Sequence, residues 1–142
     1  MKNEKHLYKL TILESHLDTF GHVNNAAYLQ IFEEARWDLI TSNGYGLEQI
    51  LESGFGPVIL EINLRFRREL KLRQSVVIET ALKATDKKLV TIAQEIVDGN
   101  GQSYCTAELR CGLFDLKARK LVPPTPAWLK GIGVCIDLKI IL

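Results

Sequence analysis

Two hydrophobic periods share this chain. Tyr8, Leu10 and Ile12 alternate with polar neighbours, the period-two mark of a first strand within residues 6–14. From about residue 24 to 43 the period changes to that of a helix. Tyr28, Phe32, Ala35 and Leu39 form one stripe, widened by Leu29, Ile31 and Ile40, while Gln30, Glu34, Asp38 and Thr41 take the other side. Asn43-Gly44 then supplies residues that tolerate the left-handed backbone of a helix end. "GLEQILESG" reads as a further short helix or turn. Everything after it reads as strand. Over 57–68, Val58, Leu60, Ile62, Leu64 and Phe66 alternate against Ile59, Glu61, Asn63, Arg65 and Arg67. Strands over 75–84, 88–98 and 103–116 follow, rich in Val, Ile, Thr and aromatics and divided by "TDKK" and "DGNG". The second divider is a strong hairpin signal, because Gly and Asn accept the positive φ of tight turns.

One long helix, apolar over much of its circumference, has to be covered. The expected class is α+β, a curved antiparallel sheet wrapped around that helix. Long strands with an open edge also invite pairing between copies. The tail from about residue 123, "VPPTPAWLKGIGVCIDLKIIL", opens on a proline-rich break. Val134, Ile136, Leu138 and Ile140 then alternate, suggesting a late strand, a docking segment or a subunit contact.

Composition narrows the classes. A single domain over 1–142 is expected, long enough to bury roughly 68–70% of its unfolded surface. Eighteen basic and 17 acidic residues leave a net charge of +1, which is no footprint for nucleic acid. No apolar run approaches the ~20 residues that cross a bilayer, and the first residues lack the apolar stretch of a signal peptide. A cytoplasmic location is the expectation. Cys105, Cys111 and Cys135 form no Cys-x-x-Cys pair, so neither a disulfide framework nor a zinc site of ordinary spacing is expected. Cys105 and Cys111 alternate with Ala107, Leu109 and Leu113, as buried strand residues would.

The chemistry gathers just before the helix, in "DTFGHVNNAAYLQIFEEAR" over residues 18–36. Asp and Asn at a helix start are often caps alone. This segment, however, resembles the signature of the hotdog-fold acyl thioesterases, the 4-hydroxybenzoyl-CoA thioesterase-like group and, more distantly, the acyl-ACP thioesterases. An acid, then Gly-His-Val-Asn-Asn, a small residue, a Tyr and an acidic helix stand in the group's order. With the strands that follow, the resemblance covers most of residues 6–126. It implies a hydrolase of acyl-CoA or acyl-ACP, working as a homodimer or homotetramer. CoA or phosphopantetheine would enter only as part of the substrate, with no metal or redox cofactor.

Thioester hydrolysis needs a group to activate water or attack the carbonyl, and donors for the oxyanion that develops. Asp18 suits the first task as general base or nucleophile. Amides at the helix N-terminus suit the second, where the macrodipole is positive. The resemblance implies that Asn25 contributes through its backbone N–H. Asn24 reads as a cap, and Gly21 lets the backbone bend close to a substrate. Tyr28 and Phe32 are expected to line an acyl tunnel.

His22 matches a catalytic His of the acyl-ACP enzymes, but Phe20 stands where their network has an Asn. "LRFRRELKLRQSVVIET" is similar to the stretch around the catalytic Glu of those enzymes, which makes Glu69 the matching acid. Without the bridging Asn, Glu69 has less reason to be held in the site. Glu34 is expected to be solvated, whereas Glu33 or Glu34 is a candidate to face a neighbouring subunit. Arg67, with Arg65 and Arg68, is a candidate contact for the phosphates of CoA, or simply a solvated strand edge. Two other readings stand beside hydrolysis: a non-catalytic acyl-thioester binding hotdog protein, and a hotdog acyl-CoA hydratase or dehydratase.

Overall fold

The computed structural model describes residues 5–134. In chain order it runs β1 (His6–Thr11), a 3-10 turn (Glu14–His16), α1 (Asn25–Ser42), α2 (Leu47–Ser53) and β2 (Phe55–Phe66). β3 (Ser75–Asp86), β4 (Leu89–Val97), β5 (Ser103–Asp115), β6 (Lys120–Val122) and α3 (Pro126–Gly131) complete it. All strand pairs are antiparallel, in the order β1-β3-β4-β5-β2, with β6 paired to the far end of β5. The 98–102 turn joins β4 and β5, with the Asp98 carboxylate accepting the N–H groups of Asn100 and Gln102 at 2.9 and 3.0 Å.

The core lies between α1 and one face of the sheet. Tyr28, Ile31, Phe32, Ala35, Leu39 and Ile40 are buried on the helix, against Val76, Ile78, Ile92, Ile96, Cys105, Leu109 and Leu113 of the strands. Cys105 and Cys111 lie on that face, as the alternation predicted. Burial pushes their thiols up to about 12 and about 11. Leu29, at the margin of the predicted stripe, is instead 40% exposed.

Hydrogen bonds fix the helix over the sheet. The Gln94 amide, buried mid-strand, donates to the Phe32 carbonyl and the Thr80 hydroxyl, and its oxygen accepts from Arg36, all near 3 Å. On the β1 side, Tyr8 donates to Glu34 at 2.8 Å and His6 meets Asp38 at 2.7 Å. Glu34 is therefore a tether rather than merely a solvated acid. Its bond is the first cause that lifts the Tyr8 hydroxyl to about 12.

Two features depart from the periodic reading. In β2 a bulge leaves Leu60 unpaired between Ile59, opposite Cys111, and Glu61, opposite Arg110. One extra residue inverts the phase of a strand. Pro57 and Ile59 thus share the core-side register before the bulge, and Ile62, Leu64 and Phe66 after it, so Val58 is not in line with Leu64. The tail from about residue 123, where only a late strand was expected after the prolines, opens on α3. Thr125 caps α3 through Trp128 N–H, with Pro126 in the first turn, a favoured place for a residue without an N–H. The proposed late strand lies outside the described residues except for Val134, which is buried. Among the described residues no helix is long and apolar enough to cross a membrane.

Candidate active site

The loop ahead of α1 is built by its own polar groups. Leu17 and Val23 form an isolated bridge, closing the segment between them. Inside it, Asp18 N–H donates to the His22 carbonyl at 2.7 Å. Asp18 Oδ1 accepts from the N–H groups of Phe20 and His22 at 2.9 and 3.1 Å. Gly21 takes φ 78°, a left-handed turn that a side chain would strain. Phe20, where the acyl-ACP enzymes have Asn, points away and is 84% exposed. Asn24 is the N-cap, its side chain accepting from Ala26 N–H at 2.8 Å. Asn25 opens the helix, and its own N–H has no acceptor among the described residues. The first N–H groups of a helix lack partners within it, which leaves them available to an incoming oxygen.

The other wall comes from the end of β2. Arg67 and Arg68 N–H groups both donate to the Tyr104 carbonyl, at 2.9 and 3.1 Å. Leu70 is fully buried. Between these anchors the chain turns Glu69 toward the loop, and its carboxylate lies 2.9 Å from His22 Nε2. The expectation that Phe20 would leave Glu69 apart from the loop is thus corrected. The carboxylate reaches the imidazole directly, with no bridging residue. With Glu69 ionised, Nε2 carries the hydrogen and donates it, so Nδ1 is left to accept.

Together these walls enclose an open cavity of about 320 Å³, lined by His22, Asn25, Tyr28, Phe66, Arg67 and Glu69 among others. The Tyr28 ring stands edge-on to Phe66, with centroids 5.1 Å apart. Burial, more than any neighbouring charge, raises the Tyr28 hydroxyl above its ordinary range. Of the residues chosen from the sequence, His22, Asn25, Tyr28, Arg67 and Glu69 meet here. Asp18 is not among the lining residues; its Oδ1 holds the loop, and Oδ2 makes no hydrogen bond to the described residues. Gly21 and Asn24 shape the backbone rather than the wall, and Phe32 is buried in the core. Val23, Phe66 and Arg68 complete the lining. Phe66 had been legible only as one more apolar strand residue.

The sequence profile of the thioesterase-like superfamily matches residues 13–132. The chain belongs to that family. The span takes in the His22 loop, Glu69 and every strand from β2 to β6. Among its relatives is the long-chain acyl-CoA thioesterase FadM of Escherichia coli, 33% identical over 106 residues, which cover 74% of this chain and 80% of that protein. The crystal structure of YbaW, a probable thioesterase from E. coli, superposes with a TM-score of 0.80 at 26% identity, over 90% of this chain and 98% of that one. A Staphylococcus aureus protein solved in complex with CoA reaches a TM-score of 0.84 at 17% identity, over 93% of this chain and 84% of that one, a likeness of fold. This member of the superfamily is a thioester hydrolase with the hotdog fold.

Proposed function

We propose that this thioesterase hydrolyses acyl-CoA, with Asp18, His22 and Glu69 acting as one set at the N-terminus of α1. The observation that carries the reading is the meeting of His22, Glu69 and the unpaired Asn25 N–H in one cavity. The thioester carbonyl would accept from Asn25 N–H, where the helix dipole favours the negative charge of the tetrahedral intermediate. Asp18 Oδ1 is held by two N–H donors, which orients the carboxylate and leaves Oδ2 to take a proton from water. The proton that Asp18 takes from water passes to His22, whose ring Glu69 steadies, and from His22 to the departing sulfur, which returns both groups to their starting state. Water adds to the carbonyl, the carbon–sulfur bond breaks, and free acid and CoA thiol leave. Arg67 and Arg68 line the same cavity and offer positive charge to the phosphates of CoA. So written, the reaction needs no cofactor beyond the CoA of the substrate. The name of FadM supports an acyl-CoA rather than a carrier-protein substrate.

A second route is chemically open to the same carboxylate. Asp18 Oδ2 can attack the thioester itself, giving a mixed anhydride that water then opens. A panel of acyl-CoAs with free thiol as the readout tests the activity, and failure to release thiol from any of them overturns it. A single turnover in ¹⁸O-water separates the routes. Direct attack of solvent labels the product and leaves Asp18 unlabelled, whereas attack by Asp18, with water opening the anhydride at the Asp18 carbonyl, gives an unlabelled first product and leaves the label on Asp18.

A further inference from the structure

The β4–β5 turn does not line the His22 cavity, yet it is tied to one of the cavity's walls. Asp98 N–H donates to the Gln102 carbonyl at 3.1 Å, and Gln102 N–H donates back to Asp98 Oδ1 at 3.0 Å. The Tyr104 hydroxyl donates to the other oxygen of Asp98, also at 3.0 Å. Tyr104 is the residue whose carbonyl accepts the Arg67 and Arg68 N–H groups. Turn and wall therefore hang on one anchor.

Across this anchor two side chains meet. The Gln102 amide faces the Arg68 guanidinium, which has donors alone, so the amide oxygen is the atom turned toward it. That oxygen accepts from the guanidinium, 2.9 Å from Nε, 3.3 Å from Nη1 and 3.0 Å from Nη2. With all three nitrogens at nearly one distance, it sits over the group and leaves the planar fork open. Exposed contacts are usually weak because two free side chains have to be ordered. Here both backbones are already fixed, that of Gln102 through Asp98 and that of Arg68 through Tyr104.

The neutrality of the holder matters. Arg73 and Lys83, elsewhere on the surface, are paired with the carboxylates of Glu14 and Glu108. Arg68 forms no ion pair among the described residues. Asp98 senses it through space, with its own oxygens engaged by Asn100, Gln102 and Tyr104. The guanidinium is thus held in place with its charge unpaired, and its fork suits phosphate oxygens. We infer that Gln102 is a positioning residue for the substrate, fixing the Arg68 guanidinium where a phosphate of CoA passes the cavity mouth. The inference rests on the phosphate role given to Arg68 above, and adds what makes that contact possible.

Two thioesters of one acid test the assignment on the full-length protein. One is an acyl-CoA that the wild type hydrolyses; the other is the matching acyl-pantetheine, which carries no phosphate. Gln102→Leu, close in size but without an acceptor, should raise KM for the acyl-CoA about 5-fold, the factor that ~1 kcal/mol represents. Its kcat on that substrate, and both constants on acyl-pantetheine, should stay at wild-type values. A side chain that merely supported the fold would change both substrates alike, and that result overturns the assignment. Arg68→Gln tests the reading beneath it. If that variant leaves KM for the acyl-CoA unchanged, the phosphate contact itself fails and the role of Gln102 falls with it. If Arg68→Gln raises KM and Gln102→Leu does not, the role of Gln102 alone is overturned. Should Gln102→Leu fail to fold, Gln102→Glu decides, since it keeps the shape and the acceptor but cancels the guanidinium charge. KM for the acyl-CoA should rise there too, and an unaltered value overturns the assignment.

Discussion

The His22 imidazole and the Glu69 carboxylate lie 2.9 Å apart although both side chains are more than half exposed. Exposed ion pairs contribute little to stability, because water screens them and two side chains must be held still. A catalytic use explains this pair better than a structural one. His22→Ala should fold with an unchanged thermal midpoint and lose ~100-fold or more in kcat, the usual scale of proton-transfer catalysis. Added imidazole should restore part of that rate. A variant with normal turnover, or one lost only because it unfolds, would remove His22 from the mechanism.

The edge strand predicts self-association. β2 ends the sheet, and Leu60, Ile62 and Phe66 on it are 50%, 37% and 53% exposed. Unpaired backbone beside exposed apolar side chains is a template for a second copy. Light scattering should give at least a homodimer at micromolar concentration, and Ile62→Lys should shift it toward monomer. A wild-type monomer under those conditions would contradict the pairing.

Thiol chemistry checks the core. With burial lifting Cys105 and Cys111 to about 12 and about 11, neither forms a thiolate at neutral pH. In a Cys135→Ser background, a thiol reagent at pH 8 should modify nothing in the folded protein and both cysteines after unfolding. Fast modification before unfolding would mean the α1-facing side of β5 is open.

The β4–β5 turn sets an acid response. The Asp98 carboxylate is held below its ordinary range, first by Gln102 N–H, then by the Tyr104 hydroxyl, Asn100 N–H and Arg68. A carboxylate depressed in the folded state stabilises it above the unfolded value of ~3.9, and that contribution fades as pH falls through the folded value. The gap in urea midpoint between wild type and Asp98→Asn should therefore be largest near neutrality and shrink below about pH 4. A gap that stays constant through the acid range would show that Asp98 carries no such linkage.

What the sequence made legible was local and periodic. The stripe Tyr28–Phe32–Ala35–Leu39 defined α1 because each residue reports on its neighbours three and four places away. The alternation of Cys105, Ala107, Leu109, Cys111 and Leu113 defined the buried face of β5 in the same way. Leu60 was not legible as a bulge, since a single extra residue inside an apolar run leaves both phases populated. Thr125 and Pro126 did carry the signature of a helix start, but the prolines around them read first as a break. The meeting of His22 with Glu69 depends on how the end of β2 packs against the loop ahead of α1. No local period encodes such contacts. The motif around Asp18 supplied candidates, and the fold sorted them into wall, loop and core.

The proposed mechanism places Asp18 and Glu69 in one reacting set. Kinetic constants for Asp18→Asn, Glu69→Gln and the double variant on an acyl-CoA that the wild type hydrolyses test it most directly. Both substitutions keep shape and most hydrogen bonding, so all three proteins should fold. Each single change should lower kcat/KM by ~100-fold or more, and the double variant should be little worse than either, since residues acting as a unit are strongly non-additive. A folded Glu69→Gln that keeps more than about a tenth of the wild-type value, a barrier change under 1.4 kcal/mol, would contradict it.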